Sequence, residues 1–239
     1  MEARDLRPSL ARAAAEPYRK AGLFARKFAQ GKLTRDPSYM GILERSLLPG
    51  GDRIVDLGCG QGLVAAWLNA ARTTADRGEW PSALPLPPRF ARYTGVELME
   101  SDVARARRAA LGDHVEFVTG DLRTVDFGTA DAVIILDVLH YMDIAAQDAV
   151  LERIRAALSP SSGRLLLRIG DAAGGWRFAF SRAVDHVVTF IRGHRLTALH
   201  CRPLVDWTSK LQSLGFTVDA HPMSEGTPFA NVLLVARLG

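Results

Sequence analysis

The chain is poor in cysteine. Of 239 residues only 2, Cys59 and Cys201, are cysteine, and neither stands at a metal-type spacing. This excludes a disulfide scaffold and a cysteine-built zinc module, and points to a reducing, cytoplasmic setting. Long hydrophobic runs are also missing. The apolar stretches, such as 132–136, are strand-length and too short to span a bilayer, so no membrane span is expected. Glu2, Arg4, Asp5 and Arg7 precede any apolar stretch, which argues against a secretory leader. Lysine is scarce: Lys20, Lys27, Lys32 and Lys210 are the whole set, and arginine supplies the rest of the 30 basic residues. The surplus is +4, with a pI near 9.4. It fits an anionic partner or substrate, and equally an arginine-rich coding bias. With 48% hydrophobic and 23% charged residues, a disordered chain is excluded.

The chain opens with helical patterns over 10–30 and 38–47, broken by Pro49-Gly50-Gly51. Strand and helix signals then alternate. Strands are expected at 53–57, 93–98, 115–118, 132–136 and 163–169. Helices are expected at 63–71, 101–110, 144–158, 176–191 and 204–214. Alternation of this kind folds as a parallel sheet with helices on both faces. Segments 216–220 and 232–237 follow one another without a helix, so one of them must run antiparallel. The expected fold is α/β: a doubly wound, mostly parallel, seven-stranded sheet with a reversed C-terminal strand and an N-terminal helical extension. The expected organisation is a helical cap at 1–48 and a ligand-binding domain at 49–239. Residues 73–89, with Pro81, Pro85, Pro87 and Pro88, fit neither period and are expected to form a surface insertion.

The sharpest motif is Ile54-Val55-Asp56-Leu57-Gly58-Cys59-Gly60-Gln61-Gly62, a strand running into a glycine loop that opens a helix. Such loops let backbone approach a ligand closely, and the helix start offers free N–H groups. The spacing is G-x-G-x-G rather than the dinucleotide G-x-G-x-x-G. Asp56 stands just before it. A carboxylate repels a pyrophosphate but attracts an ammonium and a sulfonium. S-adenosylmethionine (SAM) carries both cations and no phosphate. Glu97, at the end of the second strand, is placed to accept two hydrogen bonds from a ribose diol. Asp121, after the third strand, is a candidate partner of the adenine amine or an ordinary turn residue. Leu98, Met99 and Leu122 are candidates to sandwich the ring.

On these residues, and on Asp131–Tyr141 around the fourth strand, the sequence resembles the class I SAM-dependent methyltransferases over about 51–168. The resemblance implies SAM as cofactor. It assigns the methionine end to the loop with Gly58, Cys59, Gly60 and Gly62, ribose to Glu97, and adenine to Asp121. Residues 137–140 then lie where the methyl group meets the acceptor, with Asp137 facing the cofactor amine. His140 is the candidate general base, with Tyr141 and Asp171 as further pocket residues; alternatively His140 caps a helix or shapes the pocket.

Two covers over the site are expected. Gly174-Gly175-Trp176-Arg177-Phe178-Ala179-Phe180, within 172–203, would line an apolar or aromatic acceptor pocket, joined by His186 and Phe190. In the N-terminal helix, Tyr18, Ala21, Ala25 and Phe28 share one face. Arg19, Lys20, Arg26 and Lys27 form a basic stripe, either a solvated face or a dock for an acidic carrier protein or anionic substrate. This stretch also resembles methyltransferases of bacterial polyene-pigment and polyketide-like pathways. His194, His200 and His221 lack ligand spacing, and no metal site is expected. The function expected is methyl transfer to a small-molecule acceptor. The alternatives are a nucleic-acid (RNA) methyltransferase and a non-catalytic SAM-binding module. Against base methylation, Asp137-Val138-Leu139-His140 has no proline where amino-group base methyltransferases carry an Asn/Asp-Pro-Pro-aromatic motif.

Overall fold

A computed structural model of the chain describes residues 3–170, 199–225 and 231–238. The covering segment, with Asp171, Trp176, Arg177, Phe178, Phe180, His186, Phe190 and His194, lies outside the described residues.

The first helices are α1 (Ala3–Ala15), a 3-10 turn (Glu16–Ala21), α2 (Leu23–Arg35) and α3 (Pro37–Glu44). The single helix expected at 10–30 is therefore broken. Pro17 starts the tight turn, and Gly22, with φ of 107°, ends it in a backbone shape open mainly to glycine. The break rotates the face expected downstream. Tyr18 and Ala25 are buried, but Phe28 stacks on Phe24 at the surface.

The alternating part runs β1 (Gly51–Leu57), α4 (Leu63–Asp76), β2 (Phe90–Glu97), α5 (Glu100–Ala109), β3 (Val115–Thr119), β4 (Ala132–Leu136), α6 (Ile144–Ala157) and β5 (Arg164–Gly170). It closes with α7 (Leu204–Ser213), β6 (Thr217–Pro222) and β7 (Asn231–Arg237). Helix α4 reaches Asp76, so the first residues of the expected insertion are helical. The sheet order is β3-β2-β1-β4-β5-β7-β6. Strands β1 to β5 pair in parallel, and β7 runs antiparallel to both β5 and β6. This is the doubly wound sheet with one reversed C-terminal strand.

Alternate residues along each strand serve opposite faces, as the pleat requires. Ile54, Ile134, Leu166 and Leu233 join one buried cluster with Trp67 and the N-terminal helices. Val55, Val133, Leu167 and Leu234 join the other with α6 and α7. The N-terminal helices thus share a core with the sheet. Strand order reverses at β1 and β4, and open α/β sheets bind ligands outside the carboxyl ends of the strands at this point.

Candidate active site

The turn after β1 holds the glycine loop against β2. The Gly58 and Cys59 amides both donate to the Val96 carbonyl, at 2.7 and 3.1 Å. Gly58, Gly60 and Gly62 all have positive φ. At Gly58 a side chain is also sterically excluded, because an added Cβ would lie 2.3 Å from the Val138 side chain. The loops after β1 and β4 therefore touch backbone to side chain. At Gly60 an added Cβ would meet no heavy atom within 4 Å, so the loop is open there.

Glu97, at the carboxyl end of β2, reaches across to this loop. Its Oε2 accepts the Gly60 amide at 2.9 Å, and its Oε1 accepts the Met99 amide at 2.9 Å. One carboxylate thus fixes both the loop and the turn into α5, and it sits beside the opening at Gly60.

Asp56 lies deeper than the charge argument for it required. It is 1% exposed beneath the loop, where the Tyr93 hydroxyl donates to its Oδ2. Burial pushes its pKa up to about 7, and nearby Glu97 adds to the rise. The expected anion at the mouth is thus an acid under the floor whose proton burial holds more tightly; the more exposed carboxylates are Glu97 and Asp137. Because the folded state holds this proton and the unfolded chain does not, Asp56 makes stability fall as pH rises from 3.8 to about 7. His140, whose pKa is lowered by burial, works in the opposite sense below 6.5. Comparison with Asp56→Asn isolates the carboxyl. Urea melts between pH 5 and pH 8 are expected to show the variant losing less stability than the parent as pH rises; equal slopes would count against the buried proton.

The other expected site residues fall as follows. Cys59 is buried, its thiol pKa pushed up by burial, which makes it an unreactive part of the loop. Leu98 is 58% exposed, whereas Leu122 is buried in the core on the α6 side of the sheet. Asp121 forms a bidentate pair with Arg123, whose hydrogen bonds hold its carboxyl below the usual range. Asp137, at φ of 60°, does not stand alone. Burial would raise its pKa, but Arg168 and Lys32 hold it down. The fully buried Arg168 binds Asp137 through Nε (2.7 Å) and Nη2, and its Nη1 reaches Asp36 (2.6 Å) and Ser38 (2.8 Å). Lys32 Nζ lies 3.0 Å from Asp36 and 3.9 Å from Asp137.

His140 and Tyr141 form a short 3-10 turn after β4, their rings 4.2 Å apart. The His200 amide donates to the His140 carbonyl at 2.8 Å, tying this turn to the segment before α7. A small cavity beside it is lined by His140, Arg168, Gly170, Cys201 and Trp207 among others. Burial keeps the His140 imidazole neutral at pH 7, the form able to take a proton. Among the described residues no cluster of metal-ligating side chains occurs, and no helix is long and apolar enough to cross a membrane.

Sequence reading missed the Arg168 network and the seat of the cap. The Tyr18 hydroxyl donates to the Gln61 carbonyl at 2.6 Å, and the Gln61 amide donates to the Ala25 carbonyl at 3.3 Å. Two signals were present: an arginine inside the apolar run 164–170, and an Asp-Pro pair at 36–37, which starts α3 with Asp36 as its cap.

A glycine loop after β1, an acid ending β2 that reaches it, and acids after β3 and β4 on this strand order define the class I SAM-dependent methyltransferase architecture. Residues 55–165 match the family described as Methyltransferase domain. Over that segment the chain is similar to class I SAM-dependent methyltransferases, whose methyl donor is S-adenosylmethionine. A curated relative, the carboxy-S-adenosyl-L-methionine synthase of Chromohalobacter salexigens, is 35% identical over 126 residues, which cover 51% of this chain and 41% of the relative. The chain thus spans about two fifths of the curated relative it matches. Among solved structures, the magnesium protoporphyrin IX methyltransferase of Synechocystis PCC 6803 with bound SAH shares the fold. Its TM-score is 0.60 at 18% identity, over 98% of this chain and 99% of that one. Human N-acetylserotonin methyltransferase in complex with SAM matches at TM-score 0.61 and 18% identity, over 100% of this chain and 60% of that one. At these identities the likeness is one of fold.

Proposed function

We propose that the protein transfers a methyl group from S-adenosylmethionine to an apolar or aromatic small molecule in a reducing, cytoplasmic compartment. The observation that carries the reading is the Glu97 carboxylate bound to the Gly60 amide at the open side of the glycine loop. It leaves an acid suited to accept a ribose diol beside a backbone that admits close approach. The cofactor is held with its methionine end toward the loops after β1 and β4, its ribose on Glu97, and its adenine between Leu98 and the turn at Asp121. The acceptor sits by His140 and Tyr141. Transfer is an in-line displacement: the bond from the methyl carbon to sulfur breaks as the bond to the acceptor atom forms. S-adenosylhomocysteine (SAH) departs neutral at sulfur. The acceptor's proton, where it has one to lose, goes to the neutral His140 imidazole. The protein's share of the work is alignment and exclusion of water. Small-molecule acceptors appear in the names of both structural neighbours cited above, which supports this acceptor class over nucleic acid.

The test has two parts: SAH titration by calorimetry, then a mass-shift screen of phenolic and carrier-bound acceptors. Replacing His140 by alanine is expected to lower turnover about 10²–10⁴-fold, the usual share of a general base, with SAH affinity nearly unchanged. Loss of SAH binding in that variant would move His140 from the acceptor to the cofactor. A second reading follows from the curated relative's name: the product is carboxy-S-adenosyl-L-methionine itself. Mass spectrometry of the SAM pool after incubation with a carboxylic-acid carboxyl donor and no methyl acceptor separates the two, since only the second moves a carboxyl group from the donor onto the SAM methyl carbon, which gives up a proton.

A further inference from the structure

Helix α2 lies across the carboxyl edge of the sheet and is tied down at two points. Near its start, the Ala25 carbonyl receives the Gln61 side chain of the glycine loop. Two turns later, Lys32 reaches Asp137, behind the turn of β4. The two contacts stand seven residues apart on one helix face, about 10 Å along the axis. They bracket the contact between Gly58 and Val138, the place assigned above to the methionine end.

That end is a zwitterion. Binding it needs an anion for the ammonium and a cation for the carboxylate, and both are present. Arg168 is fully buried and shared between Asp36 and Asp137. Lys32 differs: its side chain is 38% exposed, and its 3.9 Å approach to Asp137 is the longest in the network. A pair that long and that wet contributes little. Its opening costs little when two better pairs replace it.

We propose that Lys32, supplied by the N-terminal cap, is the residue that selects the amino-acid end of the cofactor. Its ammonium takes the cofactor carboxylate while staying on Asp36, and Asp137 takes the cofactor ammonium while staying on Arg168. The inference rests on the proposed function, because it needs the methionine end to lie between the loops after β1 and β4. It adds a determinant outside the matched segment 55–165.

The probe is a pair of ligands. SAH carries the zwitterion; methylthioadenosine has the same nucleoside and sulfur but neither charge. Both are titrated calorimetrically into the parent, Lys32→Met and Lys32→Arg. Lys32→Met leaves Asp36 paired with Arg168, so no buried acid is orphaned, and a thermal melt checks the fold. The expected result is SAH affinity weakened about tenfold or more, the worth of one charge-assisted contact. Methylthioadenosine affinity stays unchanged, and Lys32→Arg recovers most of the loss. Equal weakening of both ligands, or of neither, overturns the assignment. A parent protein that binds neither ligand overturns the proposed function itself.

Discussion

Replacing Glu97 by alanine is expected to weaken SAH binding about a hundredfold. The side chain has two tasks. Its oxygens hold the Gly60 and Met99 amides, each at 2.9 Å, and the same carboxylate is the acceptor proposed for the ribose diol. Hydrogen bonds to a charged group are worth about 1.5–3 kcal/mol each. Losing the ribose contacts and loosening the loop together reaches the roughly 2.7 kcal/mol that a hundredfold change represents. The fold is expected to survive, because Gly58 and Cys59 stay tied to the Val96 carbonyl. Calorimetry on the purified variant checks this. Glu97→Gln is expected to lie between the two, since it keeps one acceptor oxygen but not the charge. Undiminished affinity in Glu97→Ala would remove the ribose assignment.

The second large effect concerns stability. Arg168→Met is expected to cost about 3–5 kcal/mol, the range for breaking a buried pair and leaving its partner charged. Asp36 is 9% exposed and its carboxyl lies far below the usual range. Burial opposes this, and Arg168 and Lys32 overcome it. Without Arg168, Asp36 keeps Lys32 and the Ser38 amide, while among the described residues the cation left to Asp137 is the distant Lys32. Arg168→Lys retains the charge but not the fork that spans Asp36, Ser38 and Asp137, so it is expected to recover part of the loss. Urea unfolding reads both. A loss below about 1 kcal/mol would place the network among weak surface pairs.

What was legible in the chain follows range. Period-two and helical patterns are local, so 132–136 and 144–158 were read within a residue of β4 and α6. The acids at strand ends were legible because alternation fixes where each strand stops. The partners of those acids were not. Tyr93 lies 37 residues from Asp56, and Arg168 lies 132 from Asp36. No spacing rule connects such pairs; only the parallel register of β1 with β2, and the return of the cap over β5, bring them together. The same limit explains Phe28. Its grouping on one face with Tyr18, Ala21 and Ala25 assumed one continuous helix, and Gly22 ended that assumption. The basic stripe likewise lost two members to local pairing, since Glu16 holds both Arg19 and Arg26.

The segment that carries the family signature starts after the first three helices, yet these helices share one buried cluster with a face of the sheet and with α4 and α5. Signature and folding unit are therefore different objects in this chain. A fragment cut to the signature would present Trp67, which packs on Tyr39, to water, while the first three helices alone would lack the sheet face they close upon.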